Sequence, residues 1–171
     1  ILTALDYINM AGIAAFLALM TVSTHSFWYR YHAWAVPILR VSTGAALILL
    51  AFSEKLLDPT RAVALLEKYP LNFMPFVGFH EFSNRLFILC AGATETVFGL
   101  IFLLGWIPRL NTAALAVFLV ASNLSFFALG FSKEGGQELI GHLPVLGTAL
   151  ILLTYGAGEK SKFRLPRSPK K

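Results

Sequence analysis

The sequence predicts an all-α integral membrane helical bundle, a four-helix core with one additional N-terminal transmembrane helix. Three observations carry that reading. Of the 171 residues, 57% are hydrophobic and only 13% charged, against about 45–50% and about 25% in an ordinary soluble domain. Mean hydropathy is +0.69, and a soluble core of this length would leave roughly a third of the unfolded surface in water. The apolar residues also fall into runs of about 20, the length that crosses a bilayer as a helix.

Taken in order, the first predicted span covers residues 1–22, interrupted by Asp6 and Asn9. No positively charged leader precedes it, so it reads as a span and not as an intact signal peptide. His25, Arg30 and His32 follow among Phe27, Trp28, Tyr29, Tyr31 and Trp34, a composition that belongs at a membrane interface. The second span, 34–52, carries Pro37 in its first turn, where a missing N–H costs little. A long connection, 53–83, holds Asp58-Pro59 as an N-cap followed by proline, then a short amphipathic helix over 60–69 on the membrane surface. Pro70 and Pro75 break the apolar stretch 71–79, which fits an interfacial or re-entrant segment. The third span is 84–106. A tight turn over 107–111 makes it an antiparallel neighbour of the fourth, 112–131, and the fifth is 139–155. The chain thus divides into residues 1–34 (N-terminal helix and aromatic/basic loop), 35–158 (four-helix membrane domain) and 159–171 (basic tail).

Charge sets the predicted orientation. Nine of the fourteen Lys and Arg gather on one side if Arg30, Arg40 and Arg109 are grouped with the tail residues Lys160, Lys162, Arg164, Arg167, Lys170 and Lys171. Cytoplasmic loops carry such an excess, so the C-terminus is placed in the cytoplasm and the long connection outside. The net charge of +5 therefore reports topology. No basic patch interleaved with polar residues points to nucleic acid. Lone Cys90 excludes an internal disulfide and a thiolate metal cage.

Glu95 is the most informative polar residue, because it lies about eleven positions into the third span, roughly 16 Å deep. A carboxylate at that depth needs a partner facing the bundle. Arg40, entering from the opposite side, is the expected one, with Gly44 and Gly99 allowing close helix approach. The pair reads either as a proton or quinone site or as an ion pair fixing helix register. A second group gathers at the outer face: Glu54 and Lys55, then His80, Glu81, Asn84 and Arg85, then Gln137, Glu138 and His142. Glu81 with Arg85 and Glu138 with His142 are i,i+4 pairs. Phe73, Phe76 and Phe79 would wall this mouth, a setting suited to a quinone headgroup or simply to anchoring the loop. The ligand spacing matches no zinc motif, so no metal site is expected. His80 with His142 is the sole couple on that side to weigh for haem.

The stretch from 40 to 155 resembles the DoxX family of small bacterial membrane proteins, which includes DoxD-type subunits of thiosulfate:quinone oxidoreductase. The likeness rests on RVSTGAALILLAFSEKLLDP, ETVFGLIFLLGWIPRL and GHLPVLGTALILL, and on Arg40, Gly44, Lys55, Glu95, Gly99, Gly105 and Arg109 at the family's pattern positions. The resemblance implies a four-helix bundle in the bacterial inner membrane and a membrane subunit of a quinone-linked redox complex. Quinone would be the cofactor, and membrane lipid and other membrane subunits the partners. Glu95, Arg40 and His80 are then the proton-exchange candidates, with Phe73, Phe76, Phe79, Glu81, Arg85 and His142 around the ligand. The alternatives are a non-catalytic accessory subunit binding lipid or pigment, and, more remotely, a small transporter.

Overall fold

The computed structural model describes residues 2–158, with side chains over 7–158. The side chain of Asp6 and the tail 159–171, on which the orientation count depends, lie outside the described residues. Among the described residues there are six α-helices and no strand: α1 Leu2–Met20, α2 Ala35–Ala51, α3 Thr60–Lys68, α4 Asn84–Leu104, α5 Pro108–Ala128 and α6 Ser132–Tyr155. A 3₁₀ turn, Phe27–Trp34, runs into α2, and a π-helical turn, Phe52–Leu56, continues it. Four stretches, Phe27–Leu56 and the whole of α4, α5 and α6, are long and apolar enough to cross a membrane. α1, the predicted first span, is not among these four: its part Tyr7–Met20 is a shorter apolar helix among the described residues.

Helix α2 is the centre of the bundle, with α1 on one side and α4 on the other, while α5 and α6 pair as a hairpin whose α6 touches α1 and α2. Phe16, Leu39, Phe102, Leu115 and Leu152, one from each long helix, bury together. α1 is thus part of the core. Lipid gives helices no hydrophobic reason to associate, so close packing has to do it. Small residues supply that closeness. A Cβ on Gly44 would stand 2.7 Å from the Gly99 carbonyl oxygen, and one on Gly99 would stand 2.7 Å from that of Gly44. Gly12 meets Ser42 in the same way across α1 and α2. Beside it Thr43 Oγ1 lies 2.9 Å from Asn9 Oδ1, which gives the buried Asn9 of the first span a partner.

Helix ends depart from the sequence reading where polar residues continue a helix. α5 starts at Pro108, inside the predicted turn, because proline at the first helical position gives up an N–H that would be orphaned anyway. The turn is only Gly105 to Ile107, with Gly105 at φ 72° and Ile107 at φ 37°, a left-handed conformation that costs a non-glycine residue about 1–2 kcal/mol. α6 begins at Ser132, seven residues before the predicted start. Gly135 lies so close to Phe126 and Phe127 that this polar first turn packs back on the end of α5. α3 starts at Thr60 as expected, with Pro59 and not Asp58 at its N-cap position, yet Asp58 still serves that end: Oδ1 accepts the Thr60 N–H at 3.2 Å.

Candidate functional site

The π-helical turn decides where the site lies. Leu57 N–H donates to the Phe52 carbonyl, five residues back, at 2.8 Å, and such turns recur at functional positions because they re-aim side chains within a helix. It presents Lys55 to α4, and a Cβ on Gly92 would stand 2.9 Å from Lys55 Cβ. The end of α2 is therefore abreast of Gly92, eight residues or about 12 Å into α4. The connection from 57 to 83 fills that offset.

Lys55 Nζ forms an ion pair with Glu95 Oε1, the side chains being 25% and 15% exposed. The expected Arg40–Glu95 pair does not form. The helices are antiparallel through the Gly44–Gly99 crossing, so Arg40 and Glu95 lie four residues beyond it in opposite directions. Arg40 instead donates through Nη1 to the carbonyls of Phe102 and Leu103. These carbonyls lie in the last turn of α4, at the negative end of its dipole. Arg109 does the same for α6, donating to Leu153 and Thr154 at 3.0 and 2.9 Å. Both arginines close helix C-termini.

Above the Lys55–Glu95 pair a cleft of about 1110 Å³ opens between α4 and α5, bounded by α3, the π turn and α6. It exists because α4 and α5, although joined by three residues, pack little against each other. Phe87, Ile88 and Phe98 of α4, Val117 and Phe118 of α5, and Leu65 and Leu66 of α3 line its walls. Its polar lining includes Lys55, Glu95, Glu138 and His142. His142 is held by Asn123, whose Nδ2 donates to the Leu119 carbonyl at 2.7 Å and lies 3.0 Å from His142 Nδ1. Asn123 Oδ1 lies 3.4 Å from the same nitrogen, so the amide meets Nδ1 as donor or as acceptor according to the tautomer of the ring. α3 is tied down by Tyr69, which is buried edge-on against Phe126 and Phe131 and donates to Glu134 at 3.3 Å.

The structure brings together only part of the predicted set. Glu95, His142 and Phe73 line the cleft, with Phe73 edge-on to Phe87. Phe76 and Phe79 are exposed, and His80, Glu81 and Arg85 are exposed and absent from the lining. The cause is Asn72, which donates to the Phe82 carbonyl at 2.9 Å and to Asn84 Oδ1 at 3.1 Å and receives the Met74 N–H at 3.2 Å. It gathers the loop at the very start of α4, where Arg85 stands ten residues, about 15 Å, from Glu95. His80 and His142 do not meet in the cleft as the weighed haem couple requires. Among the described residues no group of three or more His, Cys, Asp or Glu is placed to hold a metal ion. Two contributors escaped the sequence reading: Lys55 as the partner of Glu95, and Asn123, whose only signal was an amide within an apolar span.

An apolar slot of this size with one ion pair and one imidazole can take a lipid-soluble molecule and hold its polar end, and both Glu95 and His142 are able to exchange protons. No family model, characterised protein or solved structure matches the chain.

Proposed function

We propose that this multi-pass membrane protein binds a quinone in the α4–α5 cleft and serves as the membrane subunit of a quinone-linked redox complex of the DoxX type. The observation that carries the reading is the cleft itself: aromatic and aliphatic walls ending on Lys55, Glu95 and His142. Quinone headgroups need a flat apolar slot with a few hydrogen-bonding groups. Reduction to quinol takes up two protons, which Glu95 and His142 relay, while a partner subunit delivers the electrons. His142 replaces His80 in that role because only His142 lines the cleft. Support for the DoxX likeness comes from the places its residues occupy. Gly44 and Gly99 form the α2–α4 crossing, Arg40 closes α4, Arg109 closes α6, and Lys55 pairs with Glu95. In this reading the chain resides in the bacterial inner membrane with its C-terminus in the cytoplasm and contacts further membrane subunits. A second reading, an accessory subunit holding lipid or pigment, draws on the same Phe-rich walls.

Purification with native partners followed by solvent extraction separates the two. The redox reading expects quinone near one per chain. Recovery of only phospholipid or pigment overturns it in favour of the accessory role.

A further inference from the structure

Resting on the reading of the cleft as a ligand site, we propose that Asn123 is its positioning residue: it fixes the His142 ring so that Nε2 meets the polar end of the bound ligand.

An asparagine inside a spanning helix has to find its partners within the protein, because lipid offers the amide none. Asn123, the sixteenth residue of α5, is 2% exposed. Its Nδ2 donates back one turn to the Leu119 carbonyl at 2.7 Å, which fixes the amide on its own helix. From there the amide faces α6, with Nδ2 3.0 Å and Oδ1 3.4 Å from His142 Nδ1. A bare Nδ1 accepts from the amide nitrogen, and a protonated Nδ1 donates to the amide oxygen. One amide therefore serves the ring in either tautomer and in its charged form.

With Nδ1 turned to Asn123, the nitrogen on the other side of the ring is Nε2. His142 is half-buried and lines the cleft, so Nε2 is the atom it can offer to a ligand. Fastening α5 to α6 would not by itself call for an ionisable ring. The other buried asparagines make the contrast. Asn9 pairs with the Thr43 hydroxyl, Asn111 with the Phe98 carbonyl, and Asn72 with a carbonyl, an amide and a backbone N–H. Among the described residues, Asn123 is the buried asparagine whose partner can gain and lose a proton. That partner shares the cleft lining with Lys55 and Glu95.

The test is a double-mutant cycle on the purified full chain in detergent micelles, with native mass spectrometry following decylubiquinone binding. Asn123→Leu should weaken binding about tenfold, roughly the loss of one well-formed hydrogen bond. In a His142→Phe background the same change should weaken it no further. Nitrogen NMR of the labelled protein without ligand adds a second readout, the His142 signals being assigned by their loss in His142→Phe. Asn123→Leu should move the Nδ1 resonance more than that of Nε2, and Asn123→Asp, which can only accept, should drive Nδ1 to its protonated position. If Asn123→Leu does not fold, Asn123→Asp in the same two backgrounds decides the cycle: its effect on binding should vanish without His142. Unchanged binding in Asn123→Leu, equal losses with and without His142, or ring signals indifferent to both variants would overturn the positioning role while leaving a ligand cleft in place. No binding of decylubiquinone by the folded wild-type chain would overturn the cleft reading and the proposal with it.

Discussion

Cutting the Lys55–Glu95 pair in a double-mutant cycle gives the most informative perturbation of the bundle. With 15% of the Glu95 side chain and 25% of the Lys55 side chain exposed, the pair is mostly, not wholly, desolvated. Removing one partner of a fully buried pair costs about 3–5 kcal/mol, because the other charge is left uncompensated. Residual exposure brings Lys55→Met to about 2–3 kcal/mol on that scale. Glu95→Gln keeps an acceptor for Lys55 and should cost about 1–2 kcal/mol, near the cost of weakening a charged hydrogen bond. The double variant leaves only a neutral amide, so it should cost less than the two singles together, with a coupling of about 1–2 kcal/mol, inside the range for contacting residues. Ordinary hydrogen bonds between membrane helices average about 0.6 kcal/mol, so a coupling clearly above that value identifies the charge as its source. The assay is SDS titration of the folded protein in mixed micelles, followed by helicity and by the fluorescence of Trp28, Trp34 and Trp106. Strict additivity of the two single variants would refute the pairing and the helix register it fixes.

Three further outcomes follow from the same geometry. Gly99→Leu should destabilise by about 1–3 kcal/mol or more in the same titration, as overpacking does, since even its Cβ would lie 2.6 Å from Ile48 Cγ1; the exposed Leu100→Ala should change little. Arg40→Met should loosen the end of α4, read as faster amide exchange over residues 103–107, without changing quinone occupancy, because Arg40 contacts helix carbonyls and not the cleft. Asp58 accepts from Thr60, which holds its carboxylate below the ordinary range. A depressed folded-state pKa means the contribution is present above the unfolded value and is lost as pH falls through the folded one. Limited proteolysis within α3 should therefore accelerate only at acid pH, below the usual carboxylate range, and Asp58→Asn should flatten that dependence.

Much of this architecture was legible because lipid imposes simple rules on a chain. Apolar runs of about 20 residues located the four long spans, and Gly44 with Gly99 marked the crossing of α2 and α4. Glu95 announced itself by depth alone. Its partner did not, because Arg40 and Lys55 are both long cations near the same helix, and only the antiparallel register tells which side of the crossing each one faces. The π turn that delivers Lys55 has no clear sequence signature. Proximity in sequence also overstated the outer mouth: His80 and Glu81 closely precede α4 and Arg85 lies in its first turn, yet the hydrogen bonds of Asn72 hold this end of the loop about three helical turns from Glu95. The cleft itself arises from how little α4 and α5 pack together, a property that short connecting turns conceal.

The central claim is that the α4–α5 cleft holds a quinone headgroup against Lys55, Glu95 and His142. Photolabelling with an azidoquinone, followed by peptide mapping, tests it most directly. Label concentrated on residues 87–98 of α4 and 113–126 of α5, competed away by excess decylubiquinone, is the predicted result. Label spread over the outer faces of α1 and α6 and insensitive to competition would contradict it.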